Sequence, residues 1–106
     1  MDRKTHARYD ARAKIIKALG HPSRLYMVEH LSQGECCVCE LRDLVNADMS
    51  TVSKHLSVLK NAGLVQNEKR GLKVFYRLTV PCVLNFLECI ERVLKASAKT
   101  QMELIS

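Results

Sequence analysis

Residues 49–63 read MSTVSKHLSVLKNAG, and this stretch decides the fold. Val52, Leu56 and Leu59 recur at the spacing of one helical face, while Ser50, Thr51, Ser53, Lys54, His55 and Lys60 fall off that stripe. Gly63 stands just past the end, where a helix commonly stops. Upstream, Asn46-Ala47-Asp48 reads as a turn, and Asp48 or Ser50 can cap the next helix by accepting backbone N–H bonds. Before the turn, Leu41, Leu44 and Val45 mark the inward side of a short helix over Val38–Val45. Two helices joined by so short a turn make a helix-turn-helix unit.

Working outward, Leu64–Lys69 and Leu72–Leu78 are rich in β-formers and are separated by Arg70-Gly71, a hairpin signal. On the other side, residues 5–19 read as a helix ended by Gly20. Pro22 restarts the chain at a favoured first-turn position, and Pro22–Ser32 carries Leu25, Val28 and Leu31 at helical spacing. Pro81 opens a last helix whose Val83, Phe86, Leu87, Ile90, Val93 and Leu94 form a broad stripe. A small core cannot use all of it, so a partner helix is expected to cover the remainder. The expected fold is mainly α with a β-hairpin: a winged helix-turn-helix forming one domain over residues 1–106.

The chain carries 17 basic and 11 acidic side chains, a net charge of +6. Residues 49–81 hold Lys54, Lys60, Lys69, Arg70, Lys73 and Arg77 against Glu68 alone, the footprint expected of a nucleic-acid binder. An ordinary solvated basic surface has the same composition. Around the cysteines the sign reverses: Glu35, Glu40, Asp43 and Asp48 face only Arg42 across residues 34–48. No apolar run approaches the roughly 20 residues that span a bilayer. The charged start MDRKTHARYDARAK is unlike a secretory signal, so the cytoplasm is the expected location. No His–carboxylate–nucleophile set is discernible, which argues against a hydrolytic enzyme.

Three of the five cysteines, Cys36, Cys37 and Cys39, fall in the run GECCVCEL just ahead of the helix-turn-helix. In a reducing compartment such a cluster suggests ligands or sensors more than a disulfide framework. Thiolates select soft ions. Trivalent arsenite and antimonite, each with a lone pair, are satisfied by three sulfurs in a trigonal pyramid, or less well by two sulfurs and a water or hydroxide. Zinc or cadmium would want four ligands. In a regular helix Cys37 and Cys39 point about 200° apart. Gathering all three sulfurs therefore needs a non-helical start to the third helix, either present already or produced by binding. Burial as small apolar side chains would be the better reading of a single cysteine, but three within four residues point to ligands. Cys82 and Cys89, seven apart, would share a face of the last helix as a second site, as a redox pair or as packing.

The segments LGHPSRLYMVEHL (19–31), ECCVCEL (35–41), STVSKHLSVLKNAGLV (50–65) and GLKVFYRL (71–78) resemble the ArsR/SmtB family of dimeric winged-helix metalloregulators. The Cys-Val-Cys followed by an acidic residue and Leu resembles its arsenic-responsive branch. That resemblance implies a homodimer built from the first and last helices, bound to double-stranded operator DNA and released when As(III) or Sb(III) binds as inducer. It implies metal ligation by Cys37 and Cys39. Where many arsenic repressors carry a further cysteine this chain has Arg42, which leaves Cys36 as the candidate third sulfur. The zinc-sensing branch places carboxylates and imidazoles where this chain has Val80, Cys82, Val93 and Ala96, and the cadmium/lead branch uses a cysteine earlier than Cys36. Neither pattern is present. Thr51, Ser53, Lys54 and His55 become the expected groove contacts, flanked by Ser50 and Lys60, with Lys69, Arg70 and Lys73 gripping phosphate or the minor groove. Two alternatives stay open: a repressor whose thiols sense oxidants or persulfide, and a metal-sequestering or thiol-redox protein that never touches DNA.

Overall fold

The structure, a computed structural model, describes residues 1–105. Its elements run α1 (Arg3–Leu19), α2 (Pro22–Leu31), β1 (Cys36–Cys37), α3 (Val38–Val45), α4 (Met49–Asn61), β2 (Val65–Arg70), β3 (Lys73–Leu78) and α5 (Val83–Ile105). Each of the first four helices begins on a side chain that accepts an otherwise unpaired N–H of its first turn. Asp2 accepts from Thr5, His21 from Ser23, Cys37 from Glu40 and Asp48 from Thr51. Of the two candidate caps of α4, Asp48 takes the role, and the Ser50 hydroxyl donates to the same carboxylate at 3.0 Å. The turn between α3 and α4 swings through Asn46, the one described non-glycine residue with positive φ, at 51°.

The stripe of α4 meets the inward residues of α2, α3 and β2. Met27, Val28, Leu41, Val52, Leu56, Leu59 and Val65 are wholly removed from water. Burial of side chains this size contributes about 1.5–3 kcal/mol each. No buried polar or charged residue interrupts this core among the described residues. Val83 and Leu87 anchor the start of α5, but Phe86, Ile90, Val93 and Leu94 remain exposed, as do Ile15 and Ile16 on α1. No helix among the described residues is long and apolar enough to cross a membrane.

Two features depart from the sequence reading. First, the hairpin turn is Gly71-Leu72, not Arg70-Gly71, because Arg70 pairs with Lys73 at the end of the ladder. Gly71 then occupies the first position of a two-residue turn with φ +63°, a conformation glycine adopts without penalty. Second, the sheet has a third strand. Its order is β1-β3-β2, antiparallel throughout, with Cys36 opposite Tyr76 and Cys37 opposite Phe75. The cysteine run is therefore an edge of the wing's own sheet before it becomes the start of α3.

Candidate DNA interface and cysteine site

Ser50, Thr51, Ser53, Lys54 and Lys60 stand exposed on α4, on the side away from its buried stripe. His55 behaves differently. It is half-buried, its Nδ1 lies 3.1 Å from the Arg24 guanidinium, and its ring packs 4.3 Å from that of His21. A guanidinium only donates, so Nδ1 accepts and the ring is neutral. Burial, then the neighbouring His21 and Arg24, push the His55 pKa below its ordinary value. Arg24 also donates to the carbonyls of Ala18 at 2.6 Å and Lys17 at 3.3 Å. It thus satisfies the end of α1 while holding α4. The sequence reading gave Arg24 no role. Its signal is a cation in the first turn of α2, unfavourable to that helix's own dipole unless it serves the C-terminus of another.

On the wing, Lys69 and Lys73 are exposed on either side of the turn. Arg70 is engaged. Its guanidinium grips both oxygens of Glu35, bonds Glu68 at 2.8 Å and lies 4.8 Å over the Phe75 ring. Glu35 immediately precedes the cysteines, so this ion pair ties the wing to the cysteine run. The backbone pairing of Cys36 and Cys37 with Tyr76 and Phe75 ties it a second time.

The start of α3 is already non-helical. Cys37 has extended backbone (φ −74°, ψ 157°) and caps the helix, its sulfur 3.4 Å from the Glu40 N–H. This removes the 200° separation of a regular helix. Cys37 and Cys39 come together and are joined as a disulfide, with an S–S distance of 2.07 Å. Cys37 is buried and Cys39 half-buried. Cys36 does not share their side of the chain, because successive residues of a strand point to opposite faces. Its thiol is buried, donates to the Gly34 carbonyl at 3.6 Å, and lies in a group with His30 and Glu40. Burial, then Glu40 and Glu35, push the Cys36 thiol pKa up. The run thus divides into a pair of joined sulfurs and a third that faces away. Cys82 sits in the turn before α5 and Cys89 on it, both exposed as free thiols.

The chain is similar to known proteins in sequence and fold. The bacterial regulatory protein arsR family matches residues 21–67, from the start of α2 into β2. An uncharacterized HTH-type transcriptional regulator of Methanocaldococcus jannaschii is 33% identical over 87 residues, covering 81% of this chain and 98% of that protein. The HTH-type transcriptional repressor SmtB of Mycobacterium tuberculosis is 41% identical over 69 residues, 65% of this chain, which spans about half (51%) of that protein. Among solved structures, a homodimeric winged helix-turn-helix DNA-binding domain of Mycobacterium bovis, a possible ArsR-family regulator, superposes with a TM-score of 0.78. It is 26% identical, with 94% of this chain and 93% of that one covered. The capped α3–turn–α4 unit, the basic wing and these matches lead to one assignment: this chain belongs to the arsR family of bacterial regulatory proteins, winged helix-turn-helix transcriptional regulators and not enzymes.

Proposed function

We propose that this chain is a homodimeric repressor that leaves its operator when a trivalent thiophilic ion, As(III) or Sb(III), is chelated by Cys37 and Cys39. The observation that carries this reading is the convergence of those two sulfurs where β1 passes into α3, with β1 paired to the wing strand β3. Exposed apolar residues on α1 and α5, Ile15, Ile16, Phe86 and Ile90, supply the dimer face, and the homodimeric relative supports that use of them. Two α4 helices in a dimer would meet half-sites roughly 34 Å apart. Ser50, Thr51, Ser53, Lys54 and Lys60 contact the groove and its phosphates, and Lys69 and Lys73 extend the grip from the wing. His55 and Arg70 brace these surfaces from behind.

A cellular dithiol reduces the Cys37–Cys39 bond, supplying two electrons and two protons. Arsenous acid then exchanges two hydroxyls for the two thiols, forming two As–S bonds and releasing two waters. Hydroxide keeps the third position, since Cys36 faces the other way. An ion inserted between the two sulfurs widens the start of α3. That movement pushes on β1, whose partner β3 carries the wing, and on the turn that carries α4. The coupling needed is about 1–3 kcal/mol, a 5- to 150-fold loss of operator affinity.

The test is fluorescence anisotropy of a labelled operator with reduced protein and arsenite. Wild type is expected to release the DNA. Cys37→Ser and Cys39→Ser are expected to bind it and stay bound at the same arsenite concentration. Wild type that remains on its operator while saturated with arsenite overturns the proposal. The disulfide favours one second reading, a redox-responsive repressor. There, peroxide takes two electrons from the two thiols, giving the disulfide and two waters. Release by peroxide and not by arsenite selects it.

A further inference from the structure

We infer that His30, Cys36 and Glu40 form a second metal site, distinct from the Cys37–Cys39 pair and suited to zinc or a similar divalent ion. The imidazole nitrogen, the thiol sulfur and a carboxylate oxygen all lie within 4.8 Å of one another. Zinc holds sulfur at about 2.3 Å and nitrogen or oxygen at about 2.0–2.2 Å, so two ligands of one tetrahedral ion stand about 3.3–3.7 Å apart. The group needs a contraction of about 1 Å, within reach of side-chain rotation. Two of its members can supply it, since His30 is half-buried and Glu40 exposed, while Cys36 is held in the core.

Three separate elements deliver the ligands: the last turn of α2, strand β1 and the first turn of α3. Their backbones are fixed by the residues next in sequence, because Leu31 beside His30 and Leu41 beside Glu40 are both buried. Cys36 is aimed there by the same alternation that parts it from Cys37. The donor set fits the assignment. One sulfur, one nitrogen and one oxygen are too few thiolates for a trivalent metalloid and too soft a set for calcium or magnesium. A borderline ion accepts all three and leaves a fourth tetrahedral position to water on the exposed Glu40 side. The acidic excess of residues 34–48 favours a cation, and the Cys36 proton passes to solvent as the ion binds. A bound ion would clamp the end of α2 to the start of α3. Because the Glu40 N–H also meets the Cys37 sulfur, the ion would touch the thiol pair through one residue.

The site does not depend on the arsenite reading and is tested without DNA. In the full chain carrying Cys37→Ser, Cys39→Ser, Cys82→Ser and Cys89→Ser, Cys36 is the only sulfur ligand of its type. Cobalt(II) chloride added to this protein is expected to bind one ion per chain. It should show thiolate-to-cobalt charge transfer in the near ultraviolet and the strong visible bands of four-coordinate cobalt. Adding Cys36→Ser should abolish the charge transfer. His30→Ala and Glu40→Gln should each weaken binding at least about tenfold, the lower end of what even an outer-shell partner contributes. Absence of charge transfer in a folded protein, or unchanged affinity in either of the last two variants, overturns the inference. Should the multiple variant fail to fold, X-ray absorption of the zinc-loaded Cys82→Ser, Cys89→Ser variant, with Cys37 and Cys39 oxidised, decides. One sulfur and one imidazole support the site; no sulfur, or two and more, overturn it.

Discussion

Helix α4 and the cysteine run at residues 34–40 lie either side of one short helix, yet they are held in place by different means. Helix α4 is secured largely from within its own sequence: Asp48 caps it, a three-residue stripe buries it, and its remaining side chains, His55 apart, face solvent. The cysteine run has little local structure of its own. It is extended because Tyr76 and Phe75 pair with it from the far side of the chain, and Glu35 is anchored by Arg70. The difference suits a switch. On the function proposed above, the element that would read DNA is stiff, and the element that would sense is held by contacts that can be exchanged.

The first way to break the comparison is at the stripe. Leu56 is completely buried among α2, α3 and β2 residues. Leu56→Ala is expected to cost about 2–5 kcal/mol of unfolding free energy, the range for truncating a buried leucine. Urea denaturation followed by circular dichroism reads it. A cost below about 1 kcal/mol would mean that α4 is not organised by this face. A smaller effect follows from the cap. Asp48→Ala leaves the first-turn N–H of Thr51 without its 2.7 Å acceptor. A lowering of Tm by roughly 4–8 °C is expected for a domain of this size.

On the cysteine side, Glu35→Gln replaces a carboxylate gripped at both oxygens by Arg70. The pair is largely exposed, and exposed pairs contribute little to stability. Tm should therefore move by no more than about 2 °C. Freed from Glu35, the wing should follow the cysteine run less faithfully, and the loss of operator affinity proposed to follow arsenite binding should shrink about two- to fivefold. An inducer response equal to wild type would mean that the Glu35–Arg70 pair does not carry the coupling and would leave it to the β1–β3 ladder and the packing of α3 on β3.

The same contrast explains what could be read from the chain. Helix α4 was legible because stripe, cap and stop all lie within sixteen residues of each other, from Asp48 to Gly63. The exposure of Lys54 and Lys60 follows directly from that periodicity. Strand β1 was not legible: two residues are too few to show alternation, and their partners lie some forty residues downstream. The engagement of His55 by Arg24 and of Arg70 by Glu35 was hidden for the same reason, with the partners 31 and 35 positions apart in sequence. The cysteines fall between these cases. Their proximity in sequence was plain. Which sulfurs meet depended on a strand-to-helix junction set between Cys37 and Val38 by tertiary pairing.

His55 sharpens the comparison most finely, because it is the one member of the predicted α4 contact set that is held by another element. Its ring faces Arg24 from α2 and His21 from the turn before it. Protonation would put a cation against the guanidinium and remove the lone pair that Arg24 uses. Its pKa in the folded chain lies below the ordinary 6.5, from burial first and then from His21 and Arg24. Between those two values the unfolded chain binds more protons than the folded one, so stability falls as pH falls. The contribution is intact above pH 6.5 and is lost as the pH drops through the depressed folded value. Melting curves at about pH 7.5 and about pH 5.5 should show a larger drop for wild type than for His55→Gln, by roughly 1–3 °C. His55→Gln removes this proton and leaves the other three histidines in place, so the difference belongs to His55. If the two proteins lose the same number of degrees, the Arg24–His55 contact does not hold the ring neutral, and His55 joins Lys54 as an outward-facing residue.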